Sequence, residues 1–246
     1  MAAVLAVILL VSAAAAVADS FVGTSGPDLL SGTPAPDQLY GDDGDDTIDG
    51  LAGSDYIEGG PGNDQITGGP GADLGIGGTG NDRLDMGTGA DVVYAGAGDD
   101  ELLGGTGNDV LLGQAGSDRV FGGPGDDRLY AALGPDFVDG GTGRDSITAS
   151  DGDSTLNGGA GNDKILASSG NFTVDGGSGN DRIETGAGND KIDGGLGVDL
   201  IYASAGDDTI NVADGNRDIV YCGAGVDTVM LDAHDVARNC ETKKRT

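Results

Sequence analysis

Apolar residues recur along this chain every nine positions, each flanked by residues that face the other way and separated from the next by a glycine-rich stretch. From Gly23 to Asn211 the unit reads G-G-x-G-x-D-x-U-x, with U aliphatic, and it fills 189 residues as 21 copies without insertion or deletion. Gly59-Gly60-Pro61-Gly62-Asn63-Asp64-Gln65-Ile66-Thr67 is one copy. The fourth position departs from Gly only at Ala35, the sixth from Asp only at Ser154 and Phe172, and the eighth from an aliphatic residue only at Gly75. Two adjacent glycines and a third two residues on predict a tight turn in which a Cβ would be hindered. The x-U-x tripeptide predicts a minimal strand that sends U inward and its neighbours outward. One nonapeptide cannot bury its aliphatic residue alone, and three-residue strands need neighbours on both sides, so the units must stack.

This nonapeptide resembles the RTX (hemolysin-type) calcium-binding repeat, whose association with a parallel β-helix is a known one. The resemblance covers roughly three quarters of the chain. It implies an all-β fold, a parallel β-roll (β-helix solenoid) of 18-residue coils, each coil made of two repeats. It also implies multiple Ca2+ ions held between stacked turns on the same side. The residues agree with that expectation: calcium prefers six to eight oxygens, a tight turn offers backbone carbonyls, and the Asp adds a carboxylate.

With two repeats per coil, the sixth-position residues fall into two rows. The first is Asp28, Asp46, Asp64, Asp82, Asp100, Asp118, Asp136, Ser154, Phe172, Asp190 and Asp208. The second is Asp37, Asp55, Asp73, Asp91, Asp109, Asp127, Asp145, Asp163, Asp181 and Asp199. These 19 aspartates are the expected metal ligands. If each site draws on two stacked turns, the rows offer at most sixteen sites, or +32 from divalent ions, against a net charge of −30. The first row also replaces its opening glycines by Ala131-Ala132, Ala149-Ser150, Ala167-Ser168 and Ala203-Ser204. The expectation is a continuous ladder along the second row and a weakened one along the first, C-terminal of about Asp136. Asp151 and Asp153 lie in the broken turn at Ser154, placed to rescue a site there.

Composition sharpens the picture. The chain has 12 Lys and Arg against 42 Asp and Glu, six Tyr, four Phe and no Trp. Low hydrophobicity with high charge favours disorder, so the chain is expected to be unfolded without calcium and folded with it. The acidic balance argues against nucleic acid. A single His, His234, and the lack of H-E-x-x-H and G-x-S-x-G motifs argue against a zinc hydrolase or an α/β-hydrolase. No G-K-[ST] follows the glycines, and no EF-hand loop is present. The protein is therefore expected not to be an enzyme.

The ends of the chain differ from its middle. Residues 1–18 are almost wholly apolar and Ala16-Val17-Ala18 fits signal-peptide cleavage, which predicts a mature start at Asp19, export, and no stable membrane insertion afterwards; the alternative reading of the segment is an uncleaved membrane anchor. Residues 19–211 are the expected calcium-binding roll, and residues 212–246 the expected cap. In the cap the phase slips by one near Val212, Asp218 and Asp227 take the Asp position of two further units, and Cys222 and Cys240 are expected to form a disulfide. Positions seven and nine point outward, so Val92, Tyr94, Val110 and Leu112, with Tyr130 next, form an apolar cluster suited to self-association or a surface partner. Leu74 and Ile76 precede it around Gly75, where a one-residue slip would turn both inward. Three functions fit: a secreted calcium-binding protein with a structural or surface/adhesive role; a non-catalytic accessory module of a secreted polysaccharide-acting or other RTX enzyme system; and ice binding. The third is disfavoured because Thr79, Thr88, Thr106 and Thr142 form no long row.

Overall fold

A computed structural model of the chain describes residues 6–7 and 18–245. The expected signal segment, residues 1–18, lies outside these apart from Ala18 and the two-residue strand Ala6–Val7, which pairs with Asp28 and Leu29. The described residues form an all-β parallel solenoid of about 13 coils, about 18 residues per turn, whose successive strands alternate between two sheets. Among the described residues no helix is long and apolar enough to cross a membrane. The chain divides into two compact units, Met1–Gly123 and Pro124–Thr246.

In the first unit one sheet stacks Asp28–Ser31, Thr47–Asp49, Gln65–Pro70, Arg83–Thr88, Glu101–Leu103 and Arg119–Pro124. The other stacks Ser20–Val22, Gln38–Tyr40, Tyr56–Pro61, Leu74–Thr79, Val92–Ala97 and Val110–Ala115. The second unit repeats the plan, one sheet running from Phe137–Thr142 to Thr242–Arg245 and the other from Arg128–Leu133 to Val236–Arg238. Register is a constant 18 residues through the repeats, as in Leu39 opposite Ile57 or Ile165 opposite Ile183. A one-residue slip would carry every aliphatic side chain to solvent, which is why the period holds the register.

The eighth-position residues are the core: Leu39, Ile57, Ile66, Leu84, Val93 and Leu102 in the first unit, and Leu129, Ile147, Ile165 and Ile201 in the second, have no exposed surface. Burying each contributes about 1.5–3 kcal/mol. Several strands are longer than the expected three residues. Tyr56–Pro61 and Leu74–Thr79, for example, stay paired through Gly60 opposite Gly78. The turn glycines explain the close stacking. Gly62 (φ +150°) and Gly80 (φ +124°) lie so near the carbonyls of Gly44 and Gly62 on the preceding coil that a Cβ would collide with them.

No slip occurs at Gly75. It stays inward, Leu74 and Ile76 stay on the outer face, and the core volume that Gly75 leaves is taken by Met86. A Cβ on Gly75 would stand 3.0 Å from both Cε and Sδ of Met86, which is itself fully buried at a position usually held by glycine. An unbranched thioether is suited to filling such a gap.

Candidate metal sites

Every sixth-position aspartate sits at the corner where a glycine turn becomes a strand. There the side chain must point inward, because the aliphatic residue two positions on does so. All 19 are buried, with at most 3 % exposure. They form two ladders of one repeating hydrogen bond: the backbone N–H of each Asp donates to Oδ1 of the Asp one coil further on. In the first unit Asp28, Asp46, Asp64 and Asp82 donate in turn to Asp46, Asp64, Asp82 and Asp100, each at 2.8 Å. On the other side Asp37, Asp55, Asp73 and Asp91 donate to Asp55, Asp73, Asp91 and Asp109 at 2.7–2.8 Å. In the second unit the same bond links Asp127, Asp145, Asp163, Asp181 and Asp199. The structure thus aligns the two sequence rows as two ladders within each unit.

The second carboxylate oxygen is the chemically informative one. Oδ2 of Asp46, Asp55, Asp64, Asp73, Asp82, Asp91 and Asp100 is buried with no hydrogen-bond partner, as is Oδ2 of Asp145, Asp163, Asp181, Asp190, Asp199 and Asp208. A buried anionic oxygen without a partner is strongly unfavourable. Where the repeat opens on glycine, Oδ2 faces that residue: a Cβ on Gly50 would stand 2.8 Å from Asp55 Oδ2 and 2.8 Å from the carbonyl oxygen of Gly68 on the next coil. Carboxylate and carbonyl oxygens therefore converge at a spot that glycine leaves open. Among the described residues no three His, Cys, Asp or Glu side chains are grouped so as to hold a metal by themselves, so an ion here must draw on backbone carbonyls as well. Hard oxygens of this kind suit Ca2+.

Burial drives the electrostatics. It raises the carboxyl of Asp55, Asp64, Asp100, Asp145, Asp163, Asp181 and Asp208 to about 6, and that of Asp82, Asp91, Asp199 and Asp218 to about 7. The ladder N–H opposes the shift, and in most of these the neighbouring aspartates of the same ladder add to it. At the N-terminal end Oδ2 of Asp28 and of Asp37 accepts from the backbone N–H and the hydroxyl of Thr24 or Thr33 in its own turn.

The first-row break is visible. Asp136 N–H donates to Ser154 Oγ at 3.0 Å, and that hydroxyl reaches the Gly134 carbonyl at 3.3 Å. Phe172 turns inward with 1 % exposure, and its N–H donates to Asp190 Oδ1 at 2.9 Å. Apolar volume thus occupies the Asp position. Asp151 and Asp153 do not enter this ladder. Asp151 accepts from Gly152 N–H, and Asp153 Oδ1 accepts from the backbone and side-chain amide of Asn171. Both are exposed, because the residues flanking the turn glycine point away from the core.

Asp153 belongs to a second, exposed ladder that the nonapeptide motif conceals, since its fifth position is written x. There the backbone N–H of each residue donates backward, to the side-chain oxygen one coil earlier. Asn63, Asn81, Asp99 and Ser117 donate to Asp45, Asn63, Asn81 and Asp99 at 2.8–2.9 Å. Asn171, Asn189 and Asp207 do the same to Asp153, Asn171 and Asn189. The enrichment of Asn and Asp at that position was the available signal.

The inner ladders continue through the two further units in which Asp218 and Asp227 take the Asp position. Asp199 donates to Asp218 Oδ1 at 2.7 Å and Asp208 to Asp227 Oδ1 at 3.0 Å. The expected Cys222–Cys240 disulfide is present, with Cα atoms 5.2 Å apart.

Comparison with known proteins agrees with this geometry. The RTX calcium-binding nonapeptide repeat family matches at residues 22–57, 50–84, 76–111, 103–138, 139–171, 175–210 and 197–229. No curated protein matches the chain. Among solved structures the chain is similar to a hyperactive, Ca2+-dependent, β-helical antifreeze protein from an Antarctic bacterium, with TM-score 0.59 and 22 % identity over 90 % of this chain and 86 % of that one. Repeats matched from residue 22 to residue 229, set on two ladders of buried carboxylates, place this chain in the RTX calcium-binding nonapeptide-repeat family, as a protein that binds multiple Ca2+ ions.

Proposed function

We propose that this is an exported, non-catalytic protein whose calcium ladders switch it from a disordered polyanion to a folded solenoid outside the cell, where it serves as a structural or surface element. The carrying observation is the buried, unpartnered Oδ2 of ladder aspartates such as Asp55, Asp64, Asp82, Asp163 and Asp199. At neutral pH such a fold is untenable without counter-ions, so metal binding free energy becomes folding free energy. Extracellular calcium modules work at about 10⁻⁴–10⁻³ M, which would leave the chain unfolded inside a cell. The residues assigned to the metal are the 19 ladder aspartates of the repeats. Far-UV circular dichroism during a calcium titration of residues 19–246 is expected to show a cooperative coil-to-β transition, with magnesium inactive. A chain already folded in chelator at pH 7.5 would defeat this reading.

The surface role rests on an apolar block of the first unit. Leu74, Val92 and Val110 stack in register, as do Ile76, Tyr94 and Leu112 beside them, with no charged side chain among the six. Two or more copies docking through this face would explain it. Val92→Lys with Val110→Lys is expected to abolish oligomers seen by light scattering while leaving the calcium midpoint unchanged. Unaltered oligomers would remove the face from consideration. The antifreeze property of the similar structure is not carried over: at the turn edge Thr88 stacks on Thr106, but Pro70 precedes the pair.

A further inference from the structure

Beyond the repeats, the last two coils keep the ladder chemistry where the nonapeptide has dissolved. Asp218 N–H donates to Asp235 Oδ1 at 3.1 Å, and Asp227 N–H donates to Glu241 Oε2 at 2.9 Å. These are the same bonds that join successive aspartates along the repeats, at separations of 17 and 14 residues in place of 18. The polypeptide follows suit, since Asp235 and Glu241 each lead directly into a paired strand, Val236–Arg238 and Thr242–Arg245. Both residues lie outside the family match, which ends at residue 229.

Beside the ladder bonds, the buried carboxylate oxygens point to a ligand. Oδ2 of Asp218 and of Asp227 is buried and lacks a hydrogen-bond partner, and the two residues are 1 % and 0 % exposed. Here two carboxylates stay enclosed, each with a further acid set against its N–H. Of the cationic side chains in these coils, Lys243 Nζ donates to the Ala237 carbonyl at 2.8 Å and Arg245 to the Asp232 carbonyl at 2.6 Å. Asp235 is fixed a second time, through Oδ2, by the N–H of Asp232 at 2.7 Å. Glu241 follows Cys240 directly, and Cys240 is bonded to the fully buried Cys222.

We propose that Asp235 and Glu241 are the terminal ligands of the two ladders, completing one Ca2+ site with Asp218 and one with Asp227, and that the Cys222–Cys240 disulfide holds Glu241 in its site, so that the second ion is bound only in the oxidised protein. This rests on the calcium reading above and adds two sites to those of the repeats. It also gives the disulfide a function besides closing the end: an oxidising compartment would be needed for a full complement of metal.

Native mass spectrometry of the oxidised full chain at saturating calcium counts the ions. Glu241→Gln and Asp235→Asn keep an oxygen to accept the ladder N–H and remove the charge. Each is expected to carry one ion fewer than wild type, and the double variant two fewer. Reduction of wild type is expected to release one ion, and reduction of Asp235→Asn to bring its deficit to two. Wild-type counts in both variants and in the reduced protein would overturn the proposal. If a substitution prevents folding, the reduced wild type decides: one ion lost supports the assignment and full retention refutes it. A wild type that binds no calcium would fail the broader reading instead, so the two failures are told apart.

Discussion

Lowering the pH from 7.5 to 5 in the presence of chelator is expected to fold the metal-free chain, with β-structure appearing between pH 7 and 5 by circular dichroism. Burial raises eleven ladder carboxyls to about 6 or 7, from an ordinary 3.8. Folded-state values above the unfolded ones mean that the native state binds more protons across that window. Stability therefore rises as pH falls through 7 to 6, is fully present below about 4, and is lost as pH rises back through the folded-state values. A proton on Oδ2 removes the charge that burial penalises, which is the task calcium performs at neutral pH. The experiment belongs at pH 5 and low protein concentration, since the sequence pI is about 4.1 and solubility falls there. The same protons compete with metal, so the calcium midpoint should move to higher concentration on acidification. A chelated chain that stays a coil from pH 7.5 to 5 would show that carboxylate charge is not what holds the apo chain open.

The second large effect is expected at Phe172. Replacing it with Ala should cost about 3–5 kcal/mol, the usual range for emptying a buried aromatic site, and the loss should be the same at every calcium concentration that folds the protein. Phe172→Asp should behave differently. It would restore the ladder position above Asp190, whose Oδ1 already accepts the residue-172 N–H. Its deficit should therefore shrink as calcium rises. Denaturant melts of both variants at several calcium concentrations separate the two. Equal calcium dependence in the Ala and Asp variants would mean that the break in the first ladder is closed to metal for reasons other than the aromatic side chain. Because stacked repeats unfold with nearest-neighbour cooperativity, the loss should be read from the second unit's transition.

Much of this was legible from spacing alone. A period of nine with an inward aliphatic residue admits only stacking, and the Asp two positions earlier is carried to a buried corner by the same alternation. Hence the two rows and the weakening at Ser154 and Phe172 follow from the string of residues, because each depends on a local repeat that all coils share; the paired cysteines were expected instead from two cysteines in an exported chain. What the string could not decide are matters of contact between residues at irregular distance. Gly75 opens a gap in the core, and only the packed structure shows Met86 filling it, eleven positions on. The outward ladder from Asp45 through Asn63 to Asp99 is masked by the freedom of its position, and its opposite hydrogen-bond direction is set by how one turn sits on the next. Asp235 and Glu241 escaped because spacings of 17 and 14 break the period, while the backbone still delivers each acid to the end of its ladder. Periodicity determines which face each residue takes. Where the period fails, only the three-dimensional path of the chain, closed by the Cys222–Cys240 bond, determines which atoms meet.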